Sequence, residues 1–401
     1  MKKACMVVHS YYPADPRVRR ETEALISDGW AVDIICLRDA KQLAVEQCGG
    51  ATVYRLPVRR HRGGGIAVYL LEYLQFSALA AAKLAQRHLR QRYDVVQVHN
   101  MPDFLVFTAI VPRLMGARVV LDIHDLVPEL YTLKFGGSQN HPFVRLTRWF
   151  ERASTGFAHH VITAGSPFRQ RLVARGVPAD KVTVVMNSAD PQLFQPLPNA
   201  TERKTDDRFK LVYHGGLFER YGMDIAIKAV DQLRDKIPNI HLSIYGQGEA
   251  EEQLAQLVTE LNLHNHVHLG GFTPIDNIPN LIGDADLGLV PYRQNPFTDL
   301  LYPTKAFEYI VMDVPVVMAR TGAVVDLFAG VPDMFFQPED VDDLAARILV
   351  LYQEPERLQR LLHAARTVYA PYAWESQRQI YRTLMRQLTT RPGATPQFER
   401  Y

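Results

Sequence analysis

Three cysteines in 401 residues, Cys5, Cys36 and Cys48, are too few and too irregularly spaced for a metal cluster or a disulfide framework. The count is odd, and Cys5 and Cys36 sit inside apolar runs that read as strands, so buried thiols in a reducing compartment are expected. No apolar run reaches membrane-spanning length without charges. The short apolar stretch behind Met1-Lys2-Lys3 stops at His9 and reads as a first strand, not a secretory leader. Net charge is small, +2 at neutral pH. A recognisable nucleic-acid module and an Arg-rich tract are both missing, so no nucleic-acid partner is expected. Neither a metal nor a cofactor is expected.

What is present is a mixed-charge chain with 47% hydrophobic residues, the composition of a soluble globular protein. Its length exceeds what one compact core organises, and two α/β domains follow. The small net charge hides an asymmetry. Residues 1–195 hold 25 Lys and Arg against 16 Asp and Glu, a net +9, whereas residues 196–401 hold 20 against 27, a net −7. A basic first half points to an anionic partner, and a phosphorylated lipid or membrane surface fits better than nucleic acid. The basic run Arg59-Arg60-His61-Arg62 ahead of a long apolar helix, Ile66 to about Arg92, offers such a contact, although Glu72 interrupts the face and a core-packed helix with a basic loop explains most of the pattern.

In the first half, a strand from Lys3 empties into a loop carrying Asp15-Pro16-Arg17, then a helix runs from Val18 to Asp28 and a strand from Ala31 to Leu37. This β-loop-α-β order opens a doubly wound domain, in which ligands bind at the carboxyl ends of the strands. Two further strands, Tyr93–Val98 and Ala117–Ile123, end in His99-Asn100 and His124-Asp125, followed by Glu129. Strands at 161–164 and 182–186 complete this half. The pattern restarts after a Pro- and charge-rich stretch, 195–208: strands 209–213, 240–245, 267–269 and 286–291 alternate with helices 223–233, 250–261 and 275–285. Glycines Gly215, Gly216, Gly246 and Gly248 follow the first two of these strands, where backbone can approach a ligand closely. Phe272 could stack on a base, though a core aromatic is the simpler reading.

The segment Leu300–Pro315, LLYPTKAFEYIVMDVP, reads as loop, helix and strand. Pro303 and a capping hydroxyl at Thr304 mark the helix start. Free first-turn N–H groups, the positive helix end and the charge of Lys305 suit a phosphate. Glu308, one turn on, can accept two hydrogen bonds, as a ribose diol requires.

Pro303-Thr304-Lys305, Phe307-Glu308-Tyr309 and Pro315-Val316-Val317 resemble the P-[ST]-K-x-x-E-Y…P-V-V signature of retaining glycosyltransferases of family 4, which have the two-domain GT-B fold. Further parts of the chain carry the same likeness: Asp15-Pro16-Arg17-Val18 resembles a variant first loop, Tyr93–Asn100 the D-V-V-H-x-H-N loop, and Val182–Phe194 the passage between the domains. The resemblance implies two Rossmann-like domains with an interdomain cleft and a C-terminal helix crossing back to the first. Expected bounds are 1–195, a linker 196–208, a nucleotide-sugar domain 209–372, a crossover helix 373–390 and a frayed tail 391–401. It implies that His124 faces the reacting sugar, with Asp125 or Glu129 orienting it or the acceptor hydroxyl. Arg17, His99 and Asn100 would line the acceptor side. Gly215, Gly216, Arg220, Gly246, Gly248, Phe272, Asp299, Pro303, Thr304, Lys305 and Glu308 would bind the donor.

There are departures. The family's arginine and lysine on the diphosphate are here Gly216 and Tyr221, so Arg220 and Lys305 must supply the positive charge. The glutamate eight residues before Glu308 is replaced by Leu300, beside Asp299. The implied activity is a metal-independent, retaining transfer from a nucleoside diphosphate sugar, UDP before GDP, to a glycan or lipid-linked acceptor. Polysaccharide or glycolipid synthesis in the cytoplasm, at the inner membrane face, would be its setting. The alternatives are an epimerase of the same fold and a silent sugar-nucleotide binder.

Overall fold

The computed structural model describes residues 1–60, 66–134, 138, 140–196 and 207–390. The basic residues His61 and Arg62, most of the expected linker and the expected tail 391–401 lie outside them. The chain divides into two compact units: residues 1–187 with 375–401, and residues 188–374.

Unit 1 is built on eight strands: β1 (Lys3–Val7), β2 (Ala31–Leu37), β3 (Val45–Cys48), β4 (Ala51–Leu56), β5 (Val95–His99), β6 (Arg118–Ile123), β7 (His160–Thr163) and β8 (Val182–Val184). Their order is β3-β4-β2-β1-β5-β6-β7-β8, parallel throughout except for β3 against β4. β1, β2 and β5 to β7 are almost wholly buried, as strands covered by helices on both faces must be. The order reverses between β2 and β5 on either side of β1, which makes a topological switch point at the carboxyl ends of β1 and β5. The β3–β4 hairpin, turned by Gly49 and Gly50 at positive φ, is an element that the sequence reading did not include.

Unit 2 holds β9 (Phe209–His214), β10 (Ile240–Tyr245), β11 (Val267–Gly271), β12 (Leu287–Val290), β13 (Val316–Ala319) and β14 (Phe335–Phe336). Their order is β11-β10-β9-β12-β13-β14, all parallel, with the switch between β9 and β12. The helices Met223–Leu233 and Thr304–Val311 bury one apolar face each against this sheet. The helix expected over 275–285 is instead a 3₁₀ turn, Ile275–Asn277, followed by the short helix Ile278–Gly283, because Pro279 removes an N–H that a continuous helix would use.

The last helix, Trp374–Thr389, belongs with unit 1. Tyr381, Leu384 and Met385 are buried there, and Arg382 and Arg386 both pair with Asp28 at the end of helix Pro16–Ser27. Both cysteines read as buried are so, and all three are free thiols.

Candidate active site

In unit 1 the strand register sets the chemistry. β5 and β6 pair in parallel with His99 opposite Asp122, so residues at their carboxyl ends meet side by side. Alternation along β6 sends Asp122 and His124 to the same side. His99 Nδ1 and His124 Nε2 each lie 2.9 Å from Asp122 Oδ2, and 3.1 Å from one another. All three side chains are buried. With each ring donating to the carboxylate, Asp122 fixes both tautomers and leaves the second nitrogen of His124 free to accept. Burial opposes charge on Asp122, but the two imidazoles outweigh it and hold the carboxyl well below its usual range. Burial pushes the His99 imidazolium down.

The network continues inward. Gln97 donates from Nε2 to Glu21 Oε2 at 2.6 Å and to Asp122 Oδ2 at 3.2 Å, and its Oε1 accepts from the Tyr381 hydroxyl at 2.7 Å. Burial, reinforced by Asp122, drives the Glu21 carboxyl upward. Asn100 joins the loops after β5 and β6. Its Oδ1 accepts from His124 N at 2.8 Å, and its Nδ2 donates to Asp125 O at 2.7 Å and to Asp103 Oδ1 at 2.9 Å.

These contacts bear on the two acids expected to orient His124 or the acceptor hydroxyl. The carboxylate against His124 is Asp122. Asp125 meets Asn100 through its main chain, its carbonyl accepting from Nδ2 and its N–H donating to Oδ1 at 3.4 Å, and Glu129 pairs with Arg175, which also holds Glu151 at 2.8 and 3.0 Å. A lone acid inside an apolar strand, two residues before a histidine, was the available signal for Asp122. Arg17 is paired with Asp15 through two contacts of 3.2 Å at the start of helix Pro16–Ser27. Burial opposes charge on Asp15, but Arg17, His124 and His99 together hold it well below the usual range. Burial opposes charge on Arg17, but Asp15, with Asp125 and Asp122, outweighs it and raises the guanidinium further.

In unit 2 the turns after β9 and β10 touch backbone to backbone. Gly246 has φ +151°, and a Cβ there would fall 1.8 Å from Gly215 O; one at Gly248 would fall 2.1 Å from Leu217 O. Gly215, φ +124°, faces the ammonium of Lys305. Helix Thr304–Val311 starts behind Pro303, which occupies the cap position. Thr304 therefore does not cap, contrary to expectation, and the first-turn N–H groups have no side-chain acceptor.

Lys305 differs from the expected full charge. Its Nζ lies 4.0 Å from the Tyr213 ring centre, 5.1 Å from Tyr221 and 5.2 Å from Tyr292. Burial, only partly offset by Glu308, lowers its pKa to about 7. Glu308 stands 3.1 Å from His214 Nε2, out of line for a hydrogen bond. The Arg220 guanidinium stacks over Phe218 at 4.3 Å and Tyr221 at 4.8 Å, and its Nε is buried without a partner. Gly216 packs under Phe218. The Asp299 carboxylate is already bonded to Gly322 N at 3.1 Å and Gln294 Nε2 at 3.2 Å, so it supports the loop. Phe272 is 68% exposed just beyond β11, which overturns the core reading and leaves its face open.

Two doubly wound units with these strand-end groups define a class, and comparison with known proteins gives it a family. Residues 14–188 match the family described as Glycosyl transferase 4-like domain, and residues 198–368 match Glycosyl transferases group 1. An uncharacterized glycosyltransferase MJ1607 of Methanocaldococcus jannaschii is 24% identical, covering 88% of this chain and 89% of that one. The amylovoran biosynthesis glycosyltransferase AmsK of Erwinia amylovora is 27% identical over half of each chain, 50% and 49%. Among solved structures, the sucrose-phosphate synthase of Thermosynechococcus elongatus superposes with TM-score 0.77 at 19% identity, over 97% of this chain and 99% of that one. Anabaena Alr3699/HepE in complex with UDP gives 0.72 at 19% identity, over 96% and 100%. The chain is a glycosyltransferase of GT-B fold, built from a family-4-like domain and a group-1 domain, and its activity is of the hexosyltransferase type. Among the described residues, no helix is long and apolar enough to cross a membrane.

Proposed function

We propose that this enzyme moves a sugar, with retention and without a metal, from a UDP-sugar to an acceptor hydroxyl on a glycan or lipid-linked glycan. Cell-surface polysaccharide or glycolipid synthesis at the inner membrane face is the setting that fits. The observation that carries the donor half is the uncapped start of helix Thr304–Val311, with Lys305 beside Gly215 and Glu308 one turn on. Those N–H groups and Lys305 would take the diphosphate, with Arg220 contributing charge. Glu308 would hold the ribose hydroxyls, with His214 Nε2 3.1 Å from its carboxylate. Thr304 and Pro303 shape the turn, Gly246 and Gly248 let the backbone approach, and Phe272 would stack on the base. UDP is favoured because the solved relative HepE was obtained with UDP and with UDP-glucose. The polysaccharide setting follows from AmsK's name.

In unit 1, His124 would meet the sugar, held by Asp122, while Arg17, His99 and Asn100 shape the acceptor side. Leaving-group charge would be met by fixed dipoles and cations, so turnover should survive a chelator. The replacements at Gly216, Tyr221 and Leu300 favour one second reading, a silent binder of the same nucleotide.

A thermal-shift panel of UDP, GDP, ADP and their sugar conjugates, on wild type, Glu308→Ala and His124→Ala, separates these. A nucleotide at a hundred times its dissociation constant should stabilise by about 2.7 kcal/mol. The expected result is a UDP-specific shift lost in Glu308→Ala and kept in His124→Ala, with turnover falling about 100-fold or more in the latter. A shift without turnover in wild type selects the silent binder, and no shift with any nucleotide refutes the donor site.

A further inference from the structure

Helix Ile66–Gln91 is apolar on both sides. Phe76, Ala80 and Leu84 face the core, yet Val68, Leu70, Leu71, Leu74 and Leu79 are exposed, Leu71 by 68%. A surface helix ordinarily turns a polar face outward. Its single acid, Glu72, is buried 3.1 Å from His9 and does nothing for that outer face.

The neighbouring elements repeat the pattern. The 3₁₀ turn Asp103–Ala109 lies along this helix, and helix Pro142–Phe157 lies along the turn, with Phe104 on Phe150 at 5.4 Å and Phe107 on Phe157 at 5.1 Å. Helix Ile110–Leu114 exposes Leu114 by 78%, and helix Pro142–Phe157 exposes Trp149 by 61%. A tryptophan with leucines on neighbouring helices is what a bilayer interface takes up.

Charge selects the occupant. The acids of these four elements are Glu72, Asp103 and Glu151, and all three are buried. Their cations are not: Arg90, Arg145 and Arg152 are exposed, Lys83, Arg87, Arg113 and Arg148 partly so, and Arg59 and Arg60 are exposed just before the helix. We propose that this face of unit 1 docks on an anionic lipid bilayer, the leucines and Trp149 entering the headgroup boundary and the arginines meeting lipid phosphates. A second copy of the chain is disfavoured, because two such faces would bring like charges together. The proposal gives a location to the lipid-linked acceptor of the reading above. Binding to lipid requires no donor, so either can fail alone.

The experiment is co-sedimentation of the full chain with vesicles of phosphatidylcholine, pure or mixed with phosphatidylglycerol, without substrate. Expected is binding to the mixed vesicles that weakens with salt and is much weaker on pure phosphatidylcholine. Leu71→Glu with Leu74→Glu, and separately Trp149→Glu, should each weaken it about tenfold or more. Arg145→Glu with Arg152→Glu should weaken it while keeping the apolar residues, and this pair serves if a leucine variant fails to fold. UDP-induced thermal shifts should persist in all variants. Equal binding by wild type and variants, no binding to mixed vesicles, or a dimer in sedimentation that Leu71→Glu dissolves would each overturn the proposal.

Discussion

Lys305 shows what a single side chain can decide. Caged by Tyr213, Tyr221 and Tyr292, its ammonium loses hydration, and its pKa falls from 10.5 to about 7. Between those values the unfolded chain binds the proton and the folded one does not, so stability contributed here rises with pH from 7 to 10.5 and is level below 7. Lys305→Met should therefore raise the melting temperature of the free protein, most near pH 7 and hardly at pH 10, while weakening UDP binding. A diphosphate beside Lys305 restores its charge, so UDP binding near pH 8 should take up a proton, seen by calorimetry in buffers of different ionisation enthalpy. A pH-independent stability gain, or no proton uptake, would contradict this. The motif around Lys305 and Glu308 was readable because proline, lysine and glutamate at helix spacing carry their chemistry locally. Asp122 was not readable in the same way, because its importance comes from His99, which only the β5–β6 register brings beside it.

At the scale of elements, the turns after β9 and β10 depend on two backbones being nearly in contact. Gly246→Ala would place a methyl 1.8 Å from Gly215 O, and no side chain can yield there. Gly271 also has positive φ, +65°, but a Cβ there meets nothing within 4 Å. The two variants make a controlled pair. Gly271→Ala should cost about 1–2 kcal/mol from conformation alone. Gly246→Ala should cost more and abolish the UDP shift, as read from denaturant unfolding and thermal shift; equal costs would mean that the turns are not locked together. The strand and helix pattern was legible because buried parallel strands read as short apolar runs between Gly- and Pro-rich turns. The antiparallel β3–β4 hairpin escaped notice because its outer strand is half exposed and its sequence lacks alternation.

For the whole molecule, the chain's last helix completes the first unit. Tyr381 hydrogen-bonds Gln97, which in turn holds Glu21 and Asp122, and Gln377 Oε1 accepts from Met186 N. Ending the chain after Trp374 would remove these bonds and uncover the face that Leu384 and Met385 bury. Unit 1 should then unfold at lower temperature, with loss of turnover, while the UDP-shifted transition of unit 2 remains. A truncated protein with unchanged thermal transitions would refute this coupling.

Local sequence was sufficient for the two α/β units, for the helix start behind Pro303 and for the histidines at strand ends, because periodicity, punctuation and short motifs act through neighbouring residues. Tertiary structure alone chose the carboxylate for His124, turned Lys305 from a fixed charge into a titrating one and left the leucines of helix Ile66–Gln91 in the open. Each of those outcomes depends on desolvation and on partners far away in the chain, and these exist only once strands and helices have packed.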